Sequence, residues 1–309
     1  MGSSGYALRI VPASDRGDVR FLVNPTAGRG SVRLRFEDLR VLASKAGAGF
    51  VVSRSAADLE HQARRAVEDG VERLVVVGGD GTMHLAAQAL AGTECAMGVV
   101  AMGSGNDLAG SLGLPRKARK LDEAIRRALT GKVRRIDLIR VGETVCIGYA
   151  GVGFDSEVTR YANQVKHLRG PLIYPWAVLH TLFTFEPPLM KVVHDNGTFL
   201  GRAMFANACN LPRFGGGMLI APQARIDDGQ LDLVIVKAIP RLALLSIFPK
   251  VYAGKHVGHP AVTLVRTRRA EFTVDREMTL YGGGEPVRPI AAGEAVAAEV
   301  MPGGLKVVG

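Results

Sequence analysis

The stretch "VVVGGDGTMHLAAQAL", Val75 to Leu90, decides how this chain folds. The unbroken run Val75–Val77 reads as a strand buried on both faces, as in a parallel sheet. Gly78 and Gly79 allow a sharp turn and a close approach of the backbone to a ligand, and a helical pattern from Thr82 to Ala91 follows. Amides at a helix N-terminus suit phosphate. Asp80 lies inside that cradle, where its charge repels a phosphate unless a cation sits between them, so Asp80 implies Mg²⁺. The loop is not a P-loop, because the Gly-Lys-Ser/Thr ending is missing. Taken alone, a glycine turn of this kind is equally compatible with a purely structural role.

The same grammar recurs on either side. "FLVNPTAGRG" (Phe21–Gly30) leads into a helical pattern over Ser31–Ala46, and "VVAMGSGNDLAGSLGLP" (Val99–Pro115) contains a short helix near Asn106–Leu112. "GFVVS" (Gly49–Ser53) precedes a further helix over Ala56–Glu68. Strand-helix alternation predicts an α/β domain with a parallel sheet, and its Gly-rich loops gather at the carboxyl edge, where open sheets bind ligands.

From Arg134 the pattern changes. "RRIDLIRV", "TVCIGYA" and "MKVVHDNGTFLGRAMFANA" read as strands, with Asp195-Asn196-Gly197 as a hairpin turn. Further strands are predicted at Leu231–Val236, Ala261–Val265, Ala270–Val274 and Met278–Tyr281, interrupted by helices at Glu157–Gln164, Ile173–Phe185 and Leu242–Ala253. This is an antiparallel β-sandwich. The predicted division is 1–133 for the α/β domain, completed by the C-terminal segment 296–309, and 134–295 for the sandwich.

Bulk properties agree with a folded two-domain protein. The chain has 309 residues, 47% of them hydrophobic and 22% charged, with a net charge of +10. Clustered arginines and lysines, as in "RKARK" (Arg116–Lys120) and "RTRR" (Arg266–Arg269), suit an anionic membrane surface or a fully solvated face. Cys95, Cys146 and Cys209 are odd in number and set in apolar runs, which argues against a disulfide framework and for a reducing compartment. The longest apolar segment, "PLIYPWAVLHTLFTF" (Pro171–Phe185), is shorter than the ~20 residues a spanning helix needs.

Gly78-Gly79-Asp80-Gly81-Thr82, Asn24-Pro25-Thr26-Ala27-Gly28 and Gly103-Ser104-Gly105-Asn106-Asp107, in their places, resemble the diacylglycerol kinase catalytic-domain family, which includes sphingosine, ceramide and bacterial lipid kinases. The likeness continues through "GYAGVGFDSEV" (Gly148–Val158), "FGGGMLIAPQARIDDGQLDLVIV" (Phe214–Val236) and "GKHVGHP" (Gly254–Pro260). It implies an ATP-dependent kinase that transfers the γ-phosphate to a lipid hydroxyl, with Mg²⁺ as cofactor. It also implies nucleotide contacts from Asn24, Pro25, Thr26, Ala27, Gly28, Ser53, Gly79, Asp80, Gly81, Thr82 and Ser104. Ser104 stands where Thr is usual, and His84 where Asn is usual.

The resemblance further implies a structural Mg²⁺ in "ARIDDGQLD" (Ala224–Asp232), held by the Asp228 side chain and the carbonyls of Arg225 and Gln230. Read on its own, that loop is an Asp-Gly turn with solvated acids. His256 and His259 read as ordinary loop histidines. In "LYGGGEPVRP" (Leu280–Pro289), Glu285 takes the family's acid position while Gly283 stands where the family has Asp. Catalysis is accordingly expected from Glu285 and Asp80, with Glu285 as the remaining base. The expected partners are a lipid substrate at the membrane surface and anionic phospholipids, with no nucleic acid. A homodimer is compatible with the sequence, as is a cytoplasmic protein reversibly peripheral to the inner membrane face. Two rival readings stay open at this point: a catalytically impaired pseudokinase that regulates by binding nucleotide or lipid, and an NAD-kinase-like enzyme acting on a soluble acceptor.

Overall fold

The computed structural model describes residues 19–116, 121–164, 173–215 and 217–308. Most of the basic run Arg116–Lys120 and the first two residues of the apolar segment Pro171–Phe185 lie outside the described residues. The chain forms two compact units, the first made of the residues up to Ile136 and the segment from Gly304, the second of Asp137–Gly303. Both changes of unit fall inside strands, β5 (Val133–Val141) and β15 (Ala295–Val308).

The first unit is built from β1 (Val19–Val23), α1 (Ser31–Leu34), α2 (Phe36–Lys45), β2 (Gly49–Val52), α3 (Ala56–Glu68), β3 (Arg73–Gly78), α4 (Asp80–Leu90), β4 (Ala96–Ala101), α5 (Asp107–Ser111) and α6 (Leu121–Thr130). Its sheet runs β2–β1–β3–β4 with every pair parallel, and Val307 and Val308 of β15 extend it by pairing with Met97 and Gly98. Strand β3 shows no inside-outside alternation: Leu74, Val75, Val76 and Val77 are all fully buried, because helices cover both of its faces. Val75 and Val77 pack with Phe21, Leu39 and Ile125 on one of those faces.

Local sequence explains the helices. Ser55 caps α3 by accepting from the Asp58 amide at 3.1 Å, and the Asp58 carboxylate accepts from the Arg54 amide at 2.7 Å. Leu59, Ala63 and Ala66, at helical spacing, form the buried stripe. The helix expected over Ser31–Ala46 is two helices, because Arg35 leaves the helical region at φ −108°, ψ 11°. Helix α6 has no counterpart among the sequence expectations.

The second unit holds β6 (Thr144–Cys146), β7 (Tyr149–Gly153), α7 (Phe154–Gln164), α8 (Ile173–Thr184), β8 (Leu189–His194), β9 (Gly197–Cys209), β10 (Leu231–Lys237), α9 (Arg241–Tyr252), β11 (Val262–Thr267), β12 (Arg269–Val274), β13 (Met278–Gly282) and β14 (Glu285–Ile290). One antiparallel sheet runs β14–β13–β7–β9–β10–β11. The other runs β9–β8–β12–β15, with β5 and β6 beyond. Strand β9 serves both: Gly197–Arg202 pair with β8, while Phe205–Cys209 pair with β7 and β10.

Leu231, Leu233 and Ile235 of β10 enter the core between the sheets with Phe272 and Leu280. Val234 and Val236 enter a second core with Phe154, Ala177 and Leu182 of the α7–α8 region. A strand buried on both faces by different neighbours shows no alternation. "TVCIGYA", expected as a single strand, is split between β6 and β7, since Ile147 and Gly148 supply carbonyls to Asn210. Strands β14 and β15 also lie outside the sequence expectations. Cys95, Cys146 and Cys209 are free and buried. No helix among the described residues is long and apolar enough to cross a membrane.

Candidate active site

The first unit brings its three loops together at the carboxyl ends of β1, β3 and β4. The Asn24 amide donates to the Val77 carbonyl at 3.0 Å, and the Met102 amide donates to the Gly78 carbonyl at 2.7 Å. Gly79 and Gly103 meet backbone to backbone: a Cβ on Gly103 would lie 2.6 Å from the Gly79 Cα. No side chain fits at that approach, which is the physical reason both loops carry glycine.

Asn24 organises its loop from within. Its Oδ1 accepts from the Thr26 amide at 3.1 Å and the Thr26 hydroxyl at 2.8 Å, while its Nδ2 donates to the Thr82 hydroxyl at 3.0 Å. The Asn24–Gly28 loop is therefore bonded to the start of α4, where Gly79, Asp80, Gly81 and Thr82 lie. Ser53 follows β2; it is buried and its hydroxyl donates to the Val23 carbonyl at 3.3 Å. Ser104 is exposed.

Asp80 has a partner that the sequence did not reveal. Its Oδ1 accepts from the amides of Asp107 at 2.8 Å and Leu108 at 3.4 Å, so it caps α5 from another loop. Both bonds fall on Oδ1. Asn106 completes the arrangement in the left-handed region at φ 55°, donating through Nδ2 to the carbonyls of Gly103 at 2.8 Å and Arg116 at 2.5 Å. Its Oδ1 accepts from the Gly103 amide at 2.8 Å. Asp107 is buried and ion-paired with Arg116 at 3.6 Å. The sequence signalled Asn106 and Asp107 only as part of "GSGND"; their load on the loop becomes visible once the partners are known.

His84 is buried in α4, and desolvation lowers its pKa to about 4. The ring is neutral and belongs to the interior of the unit. Its folded pKa lies below the ordinary histidine value, so its contribution to stability is full above pH ~6.5 and is lost as pH falls through that value towards 4. Over that window the loss amounts to roughly 3 kcal/mol. Denaturant unfolding of the parent and His84→Asn between pH 7 and 4 checks this: the variant should lose less stability on acidification.

In the second unit, Gly283 at φ 61° and Gly284 at φ 90° form the two positive-φ positions of a hairpin turn between Gly282 and Glu285, the type I′ pattern. The Asp-Gly pair expected from the resemblance suits the same turn, so Gly283 satisfies the backbone here without supplying an acid. Glu285 opens β14 and is exposed as a residue, yet the desolvation its carboxyl does suffer raises its pKa above the ordinary glutamate value.

The Ala224–Asp232 loop is fastened from a distance. The Gly229 amide donates to Asp137 Oδ2 at 2.6 Å, the Gly303 amide to Asp137 Oδ1 at 2.7 Å, and the Asp137 amide to the Ile226 carbonyl at 2.7 Å. Asp228 Oδ1 accepts from the Gln230 amide at 3.2 Å and Oδ2 is ion-paired with Arg266; Arg225 is exposed. Asp232 is buried beside them, and desolvation raises its pKa to about 6, with the Arg266 charge opposing the rise and the Asp228 charge adding to it. The donors are oxygens, as a hard cation requires, but a cation at Asp228 would enter in exchange for the Arg266 guanidinium. No cluster of three His, Cys, Asp or Glu side chains suited to a metal occurs among the described residues. His256 and His259 are occupied structurally: His256 Nε2 donates to the Ile220 carbonyl at 2.9 Å, and His259 Nδ1 accepts from the Ala261 amide at 3.1 Å.

An α/β unit with three Gly-rich loops at one sheet edge, on a chain that continues into a β-sandwich, has counterparts among known proteins. Residues 18–141 match the diacylglycerol kinase catalytic domain, and residues 148–309 match the YegS C-terminal NAD kinase beta sandwich-like domain. A diacylglycerol kinase of Mycobacterium tuberculosis is 31% identical over 291 residues, covering 89% of this chain and 91% of that one. A diacylglycerol kinase of Bacillus subtilis is 27% identical over 273 residues, covering 86% and 89%. A crystal structure of a diacylglycerol kinase from Bacillus anthracis superposes with a TM-score of 0.71 at 18% identity, covering 94% of this chain and 96% of that one. The class is that of phosphotransferases with an alcohol acceptor. Within it, this chain belongs to the diacylglycerol kinase catalytic-domain family of lipid kinases.

Proposed function

We propose that this lipid kinase uses Mg·ATP to phosphorylate the free hydroxyl of diacylglycerol or a closely related lipid while bound reversibly to an anionic membrane surface. The observation that supports the nucleotide part is the backbone approach of Gly79 and Gly103, with Asn24 bonded to Thr82: together they set loop backbone, without side chains at the two glycines, at the sheet edge. In this reading Asn24–Gly28, Ser53, Gly79–Thr82 and Ser104 hold the nucleotide. Asp80 keeps α5 in place through Oδ1, and its charge would help hold the Mg²⁺ that accompanies the nucleotide. Bound Mg²⁺ supplies neutralisation of the phosphate charge. Arg225, Asp228 and Gln230 would hold a second, structural Mg²⁺ when Arg266 gives way.

Glu285 takes the proton of the acceptor hydroxyl as the oxygen bonds to the γ-phosphorus, and the bond from that phosphorus to the β–γ bridging oxygen breaks to release ADP. A carboxyl with a raised pKa is the better base for this, because its strength approaches that needed near neutral pH. Diacylglycerol is the lipid in the names of relatives whose alignments cover 89% and 86% of this chain. A radiolabelled ATP assay over a panel of lipid alcohols, with NAD as the soluble control, tests the reading. Label in a chloroform-soluble phospholipid is the expected result; label in NAD alone, or in nothing, overturns it.

Membrane binding is assigned to α8 and the basic surface. Trp176, Leu179 and Phe183 recur at helical spacing and are 43%, 44% and 60% exposed, and α8 carries no acidic residue. With a net charge of +10, co-sedimentation should be stronger with vesicles containing anionic phospholipid than with neutral ones, and weaker on adding salt. Equal partitioning to both at low salt would remove the electrostatic part of the proposal.

A further inference from the structure

Asp155 and Asn207 are joined by a hydrogen bond that uses half of each side chain. Asn207 Nδ2 donates to Asp155 Oδ2 at 2.8 Å, which ties the first turn of α7 to β9. The other two oxygens, Asp155 Oδ1 and Asn207 Oδ1, are buried and have no hydrogen-bond partner among the described residues. Asn207 is fully buried, and its register partner on β7 is Gly151. A Cβ there would lie 1.9 Å from Asn207 Oδ1, so only glycine lets the amide lie against β7.

A buried acceptor without a donor is costly. An ionised carboxylate and an amide oxygen offer nothing but acceptors at these two positions. One proton removes both deficits. A protonated Asp155 donates from Oδ1 to Asn207 Oδ1 while Asn207 Nδ2 keeps its bond to Oδ2, and acid and amide close a two-bond ring.

The elements around Asp155 supply no counter-charge that would hold it ionised. On α7, Arg160 is engaged with Glu157 at 2.7 Å, and Tyr161 stacks on His180 of α8 with ring centroids 3.8 Å apart. Arg202 of β9 donates to the Pro187 carbonyl at 2.8 Å, and Lys237 of β10 is exposed. The other titratable groups on the neighbouring strands are Tyr149 of β7, Cys209 of β9, Asp232 of β10 and Tyr281 of β13, none of them a cation. Burial pushes the Asp155 carboxyl up, against the bonds from Asn207 and from the amides of Ser156 and Asp155 itself.

From this we infer that Asp155 is a protonated acid at neutral pH, and that it forms with Asn207 a neutral clamp that fixes α7 on the sheet and opens when alkaline conditions remove the proton. Through the Tyr161–His180 stack α7 is joined to α8, so the clamp also anchors the helix assigned above to the membrane. The inference is independent of the lipid-kinase reading, because its tests need no turnover.

Infrared difference spectra of the full chain at pH 7 should show the C=O stretch of a protonated carboxylic acid that Asp155→Asn lacks and that bleaches in the parent as pH rises. Denaturant unfolding gives a second readout. The unfolded chain loses this proton from the ordinary value of 3.8 upward while the folded protein keeps it, so the Asp155 contribution to stability falls as pH rises from 4 to 7. Asp155→Asn preserves the ring as an amide pair and has no proton to lose. Its folding equilibrium should therefore gain on the parent's over that window by up to tenfold per pH unit, the limit for one proton. Comparison with the parent cancels other titrations, that of His84 included. A parent without the protonated-acid band at pH 7, or a band that persists in Asp155→Asn, overturns the inference. So does a stability gap that stays constant from pH 4 to 7, the result expected if water donates to both oxygens of an ionised pair. Should Asp155→Asn not fold, Asn207→Leu reads the same band: a shifted frequency is expected because the acid loses its acceptor, and an unshifted one overturns the ring.

Discussion

Glu285→Gln is expected to lower lipid phosphorylation by roughly 10² to 10⁴ while leaving ATP binding nearly unchanged. The substitution is almost isosteric, and Glu285 lies at the exposed start of β14, where neither core packing nor a hydrogen bond of the hairpin depends on its charge. A loss confined to kcat therefore reports proton transfer. The pH profile adds a second readout. Desolvation raises the pKa of this carboxyl, so the acid limb of kcat should lie above the ordinary glutamate value and disappear in the variant. Gly283→Asp is the converse experiment. At φ 61° an aspartate is among the better-tolerated residues, so the variant should fold and restore an acid beside Glu285, raising the rate. If Glu285→Gln is as active as the parent, the base assignment is wrong.

Asp80→Asn should reduce turnover at least tenfold, equivalent to ~1.4 kcal/mol in the barrier. The structure sharpens this experiment, because the asparagine Oδ1 still accepts from the amides of Asp107 and Leu108 and keeps α5 attached. What disappears is the charge. Asp80→Ala removes the cap as well, and should additionally cost about 1 to 2 kcal/mol in denaturant unfolding. Full activity in Asp80→Asn combined with a destabilised Asp80→Ala would make this acid a structural cap and nothing more.

Much of the fold is legible in short stretches. "VVVGGDGTMHLAAQAL" contains its own strand, turn and helix, because β-branched runs, paired glycines and apolar periodicity act over a few residues. Asp195-Asn196-Gly197 likewise makes the β8–β9 hairpin where it stands. The strands without a local signature are those whose burial is decided by distant partners. Strand β15 pairs with β12 at one end and β4 at the other, and nothing within its glycine-containing sequence indicates two different neighbours.

The candidate site divides in the same way. The α/β-then-sandwich order, the three Gly-rich loops and Glu285 behind a glycine turn are all legible without a structure, since each depends on residues adjacent in the chain. What those groups are bound to emerges on folding: Asp80 reaches Asp107 across 27 residues, Asp137 fastens Gly229 across 92, and Arg266 neutralises Asp228 across 38. A carboxylate's function follows from the charges and amides around it, which folding alone brings together.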